Sequence, residues 1–101
     1  MKIYINGKFY DKKDAKVSVF DHGFLYGDGV FEGIRVYDRL IFKLNEHIDR
    51  LYESAHSIML KVPLTKPEFV QAIIKSLKEN QPYEHKTKNH SAWRPRISAS
   101  R

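Results

Sequence analysis

The first ten positions alternate between polar and apolar residues. Lys2-Ile-Tyr-Ile5 and Lys8-Phe-Tyr10 are β-rich runs on either side of Asn6-Gly7, the pair best suited to the two-residue turn of a hairpin. Val17-Ser-Val-Phe20 reads as a third short extended piece. Alternation returns over Val30-Phe-Glu-Gly-Ile-Arg-Val-Tyr37, and Leu40-Ile-Phe-Lys-Leu44 answers it. That predicts a second hairpin with Asp38-Arg39 at its tip, a weaker turn because Arg tolerates positive φ poorly. Between the hairpins, Asp21 to Gly29 reads as a loop whose glycines Gly23, Gly27 and Gly29 permit unusual dihedrals. The loop also carries Phe24, Leu25 and Tyr26. Three large apolar groups there imply that it packs against something.

The period then lengthens. Asn45 is a candidate N-cap for a helix to about Met59, with Ile48, Leu51, Tyr52, Ala55, Ile58 and Met59 as its apolar stripe. Thr65-Lys-Pro-Glu68 has capping-box spacing for a second helix, and Pro67 suits its first turn. The stripe of that helix is Phe69, Val70, Ile73, Ile74 and Leu77. The predicted fold class is α+β, antiparallel hairpins packed on two helices, over residues 1–81. From 82 to 101 no apolar periodicity survives, and we expect this basic segment to be disordered, since it cannot bury enough surface to offset its ordering entropy.

Length and charge change the picture little. A chain of 101 residues has room for one domain with a thin core. The net charge of +6 suggests a polyanionic partner, but residues 82–101 hold five Lys/Arg against a single Glu and account for most of the excess. Trp93, Arg94 and Arg96 in that stretch are the basis of a competing, non-enzymatic reading: a small basic protein that stacks on and pairs with nucleic acid. No cysteine is present, so no disulfide framework or thiolate metal site is available. The N-terminus turns polar too soon for a secretory segment, and no apolar run approaches a bilayer-spanning length. These features lead us to expect a cytoplasmic protein without a membrane partner.

Two surfaces are candidates for chemistry. In an extended strand Phe31, Gly33, Arg35 and Tyr37 share one face, while Val30, Glu32, Ile34 and Val36 share the other. The first face combines apolar walls, a guanidinium and a bare glycine, which suits a small acid; aromatics pairing across a sheet produce the same pattern. The first helix has a face bearing His47, Arg50, Ser54 and Ser57. There Arg50 has the planar fork that suits a phosphate, or it pairs along the helix with Glu46 or Glu53. The five histidines show no ligand spacing on a shared face, so no metal site is expected. Asp21 and Asp28 read as turn or cap residues.

Taken in order, Tyr4-Ile-Asn-Gly7, Asp21-His-Gly23, Tyr26-Gly-Asp-Gly-Val-Phe-Glu-Gly-Ile-Arg35 and Asn45-Glu-His-Ile-Asp-Arg-Leu51 resemble the small N-terminal domain of the fold-type IV pyridoxal-phosphate enzymes. That family includes branched-chain aminotransferases, D-amino-acid aminotransferases and aminodeoxychorismate lyase, and Phe31-Glu-Gly-Ile-Arg35 is most similar to the branched-chain form. The resemblance implies that Arg50 binds the cofactor phosphate. It implies that Phe31, Gly33 and Arg35 line the substrate pocket, and that Tyr26 reaches a pocket across a dimer interface, so that a homo-oligomer is expected. Amino-acid and 2-oxo-acid substrates follow, namely leucine, isoleucine or valine with 2-oxoglutarate. The lysine that holds the cofactor lies in the family's second, larger domain, and no lysine here matches it. We therefore assign no catalytic residue and expect the chain to be inactive alone. The abrupt change after Gln81 leads us to expect a frameshift or premature stop there.

Overall fold

The computed structural model describes residues 1–80 together with Arg96 and Ile97. The expectations for Trp93, Arg94 and most of the basic segment lie outside the described residues. Strands β1 (Lys2–Ile5) and β2 (Lys8–Asp11) form the first hairpin, with Ile5 opposite Lys8. Asn6 and Gly7 close it at φ 50° and 88°, the doubly left-handed turn whose twist matches that of the strands.

Two local expectations are corrected. Val17–Phe20 forms no strand, and Asp21–Gly29 is not wholly loop. His22–Tyr26 is a short helix, α1, capped at both ends. The Asp21 carboxylate accepts from the Phe24 N–H, and Gly27, left-handed at φ 69°, closes the far end by donating to the Gly23 carbonyl. The glycine that suggested loop is thus a helix terminator. Phe24, Leu25 and Tyr26 are exposed.

The second hairpin is shorter than its sequence pattern. β3 is Val36–Tyr37 and β4 is Leu40–Ile41. Asp38 and Arg39 both adopt positive φ, 49° and 63°, so Arg39 tolerates the strained turn that holds Val36 opposite Ile41. Residues 30–35 form no ladder, yet they keep the in–out alternation: Val30, Glu32 and Ile34 are half-buried, while Phe31, Gly33 and Arg35 are exposed. Arg96–Ile97 forms β5, parallel to β4. This two-residue strand lies in a segment expected to form no element.

Helix α2 spans Leu44–Ser57. Its N-cap is Lys43, left-handed and without a side-chain cap, rather than Asn45. The reason is burial: Leu44, fully buried, already belongs to the core, so the helix begins only two residues after β4 ends. Ile58 and Met59, expected in the stripe, fall beyond the helix and are exposed. Helix α3 (Lys66–Glu79) begins as its sequence predicts, with Thr65 and Glu68 forming a reciprocal capping box.

The core is Ile41, Leu44 and Ile48, covered by Ile34 and Val36 from the second hairpin region, by Tyr52 of α2 and by Phe69, Val70, Ile73, Ile74 and Leu77 of α3. Tyr52 donates its hydroxyl to the Leu64 carbonyl ahead of α3. At the other end of α3, Asn80 accepts from the Lys2 N–H (2.7 Å) and donates to the Lys2 carbonyl (2.9 Å), which joins the helix to the edge of β1.

Candidate functional site

The site begins with a charge on an apolar face. Val30, Glu32, Ile34 and Val36 all point inward, and Glu32 is the ionisable member of that set. A carboxylate directed at packed helices must find donors. Glu32 finds them on α2, where His47 and Arg50 lie three residues apart on one face. Arg50 donates from Nε to Oε2 at 2.8 Å and from Nη2 to Oε1 at 2.7 Å, a two-pronged grip. His47 Nδ1 lies 2.6 Å from the same Oε1. An ionised carboxylate only accepts, so Nδ1 carries the proton. The Glu32 side chain is 10% exposed and that of Arg50 65%.

The Arg50 guanidinium, and after it the His47 ring, hold the Glu32 carboxyl down from its usual 4.5 to about 2. Glu32 in turn raises Arg50 further above its already high range. A depressed carboxyl favours the folded state at pH above its unfolded value and loses that advantage as pH falls toward its folded value. The stability difference between the native chain and Glu32→Gln is therefore expected to be constant above pH 4.5 and to shrink from there to about pH 2. Denaturant melts of both proteins across that range measure it, and a gap that stays level through the range means the ion pair is not formed.

Of the five donor hydrogens on a guanidinium, Glu32 engages one on Nε and one on Nη2. The end of the fork, at Nη1 and the second Nη2 hydrogen, is not engaged by Glu32, and Nη2 also lies 3.5 Å from His47 Nδ1. A cavity of about 350 Å³ opens beside it, lined by Lys43, Glu46, His47 and Arg50 over the first turns of α2. Arg50 and Lys43 suit a phosphate monoester and the adjacent helix N-terminus favours an anion, while the Glu46 carboxylate in the same lining opposes one. The residues present therefore fit the phosphate end of pyridoxal phosphate. Sequence spacing offered Glu46 or Glu53 as partners for Arg50, and the pairing with Glu32 corrects that expectation.

Phe31, Gly33 and Arg35 project to the other side, away from Glu32. Phe31 is 91% exposed, and a Cβ on Gly33 would meet nothing within 4 Å. They form an open surface with an apolar ring, a gap and a cation. Tyr26 sits apart from them at the end of α1, with its ring 4.7 Å from that of His22. His22 Nε2 is 2.9 Å from Asp28 Oδ2, so Asp28 anchors this turn. Glu32 is the site residue that sequence reasoning missed, while His47 was placed on the candidate face of the first helix without a role. The signal available was the lone carboxylate on an otherwise apolar inward face.

The family model for Amino-transferase class IV matches residues 29–101, a stretch that includes Glu32, His47 and Arg50. This chain belongs to the class IV aminotransferases. The match continues past residue 81, into the basic segment. Class IV aminotransferases work with pyridoxal phosphate, which accords with the donor set around Arg50. A Methanocaldococcus jannaschii protein provisionally named branched-chain-amino-acid aminotransferase is 65% identical over 80 residues, 79% of this chain and 28% of that protein. A D-alanine aminotransferase of Staphylococcus epidermidis is 43% identical over 79 residues, 78% of this chain and 28% of its own length. The aminodeoxychorismate lyase of Bacillus subtilis is 44% identical over 78 residues, 77% of this chain and 27% of its length. The chain thus spans little more than a quarter of the relatives it matches. No helix among the described residues is long and apolar enough to cross a membrane.

Proposed function

We propose that this chain is the small domain of a branched-chain amino-acid aminotransferase and that Arg50 holds the cofactor phosphate there. The observation that carries this reading is the Glu32 clamp on one edge of the Arg50 fork, beside a cavity that Arg50 itself lines. Pyridoxal phosphate, when bound, withdraws electrons from the substrate α-carbon. This chain's residues bind and orient. Arg50 fixes the phosphate, Arg35 offers a cation to a substrate carboxylate, Phe31 packs on an aliphatic side chain, and the bare Gly33 leaves room for close approach. Leucine, isoleucine or valine and 2-oxoglutarate are the proposed substrates, supported by the higher identity to the Methanocaldococcus protein than to the D-alanine and aminodeoxychorismate enzymes. The covalent lysine belongs, by resemblance, to a larger second domain, so the 101 residues alone are expected to show no turnover.

Phe20, Phe24, Leu25 and Tyr26 form an exposed apolar surface on and beside α1. Such a surface favours association, and we propose that Tyr26 completes the site of a second copy in a homo-oligomer. The cysteine-free sequence suits a reducing cytoplasm.

A chimera tests the substrate assignment. The matching 80 residues of the Methanocaldococcus protein are replaced by those of this chain, and transamination is assayed with leucine, isoleucine and valine and with D-alanine, alongside aminodeoxychorismate lyase activity. Turnover of the branched-chain substrates with 2-oxoglutarate is expected. A folded chimera that prefers D-alanine or aminodeoxychorismate refutes the assignment.

A further inference from the structure

We propose that Glu32 is a positioning residue that aims Arg50 at a phosphate monoester, with His47 holding the carboxylate in place. This rests on the reading of Arg50 as the phosphate anchor and adds the group that directs it. A guanidinium can offer a phosphate its side edge, Nε with Nη2, or its end, Nη1 with Nη2. In this protein the side edge is taken by both Glu32 oxygens, at 2.8 and 2.7 Å. The end remains, its Nη2 3.5 Å from His47 Nδ1, and Arg50 lines a cavity together with Lys43, Glu46 and His47. Arginine on an exposed helix face otherwise samples many rotamers, and ordering one on binding costs side-chain entropy. The clamp meets that cost on folding. Glu32 is itself held: its side chain is 10% exposed and its Oε1 also accepts from His47 Nδ1 at 2.6 Å.

Aiming and charge make opposite predictions. Glu32 lowers the positive potential that a phosphate meets, so if charge alone mattered, Glu32→Gln would bind phosphate more tightly. If the carboxylate aims the fork, the same variant binds more weakly. The full 101-residue chain is titrated with pyridoxal phosphate, followed by the phosphorus resonance of the ligand, and with pyridoxal as the control without phosphate. Glu32→Gln is expected to weaken phosphate-dependent binding about tenfold, the scale seen when a partner orienting a metal ligand is lost. Glu32→Asp, which keeps the charge and shortens the reach, is expected to weaken it as well. In the native chain the Arg50 Nε–H is expected as a distinct, slowly exchanging nitrogen–proton signal, and that signal disappears in Glu32→Gln.

Tighter or unchanged binding by Glu32→Gln, while Arg50→Gln loses binding, overturns the positioning role and leaves the phosphate reading intact. Failure of the native chain to bind pyridoxal phosphate in preference to pyridoxal overturns both. Should Glu32→Gln lose its dispersed spectrum, the Nε–H signal of the native chain and the Glu32→Asp titration decide. A solvent-exchanging Nε–H, or native affinity in Glu32→Asp, counts against the proposal.

Discussion

Replacing Leu44 with alanine is expected to unfold this domain at physiological temperature. Leu44 is 0% exposed and stands where β4 passes into α2, packed with Ile41 and Ile48. Truncating a buried leucine removes transfer energy and leaves a cavity, at a cost of about 2–5 kcal/mol. The whole stability of a small domain is on the order of 5 kcal/mol, and among the described residues the buried apolar centre is Ile41, Leu44, Ile48, Leu51 and Ala55. The cavity is also hard to close by relaxation. Leu44 is the first residue of α2, and shifting it displaces the left-handed Lys43 and the short β4 behind it. Each kcal/mol lowers the melting midpoint of a domain this size by about 4–8 °C, so a fall of roughly 10 °C or more is expected. Thermal melts followed by circular dichroism measure it. Met59→Ala is the control: Met59 is 88% exposed, and its loss should cost less than about 0.5 kcal/mol. Equal melting midpoints for the two variants would show that the core lies elsewhere.

Arg50→Gln is expected to cost about 10–100-fold in affinity for pyridoxal phosphate and nothing in affinity for pyridoxal. Hydrogen bonds to charged partners contribute about 1.5–3 kcal/mol, which sets that range, and the difference between the two ligands isolates the phosphate. The fold should survive, since the Arg50 side chain is 65% exposed and His47 still contacts the Glu32 carboxylate. The variant has a second, independent readout. Arg50 is the larger cause of the depressed Glu32 carboxyl, His47 the smaller. Removing Arg50 should therefore move Glu32 up from about 2 toward its usual 4.5, visible in the carbon resonance of the carboxyl during an acid titration. A Glu32 that does not move would show that the ion pair is absent in solution; a pyridoxal-phosphate affinity that does not change would remove Arg50 from the phosphate site.

Much of the architecture was written locally. Asn6-Gly7 dictated a hairpin because two adjacent left-handed residues suit few other pairs. Thr65 and Glu68 dictated a helix start because each satisfies the other's backbone N–H. The stripe Phe69, Val70, Ile73, Ile74 and Leu77 named the buried side of α3 because a helix repeats every 3.6 residues. Alternation over residues 30–37 sorted inward from outward side chains even where no ladder forms, since an extended chain turns its side chains over at every residue. In each case the interacting groups are within a few positions of one another, so their spacing in the chain is their spacing in space.

What spacing could not reveal were outcomes of competition between distant groups. Asn45 is a better cap than Lys43, but the burial of Leu44 outweighs the roughly 1 kcal/mol of a cap, and the helix starts early. Gly27 read as loop until Asp21 capped the turn before it. Arg50 had acidic neighbours on its own helix, Glu46 and Glu53, and ignores both in favour of Glu32, 18 residues away. That choice depends on how the second hairpin region lies across α2. Apolar burial brings Ile34 and Val36 onto the helices, and Glu32, one alternation earlier on the same face, is carried to Arg50 with them.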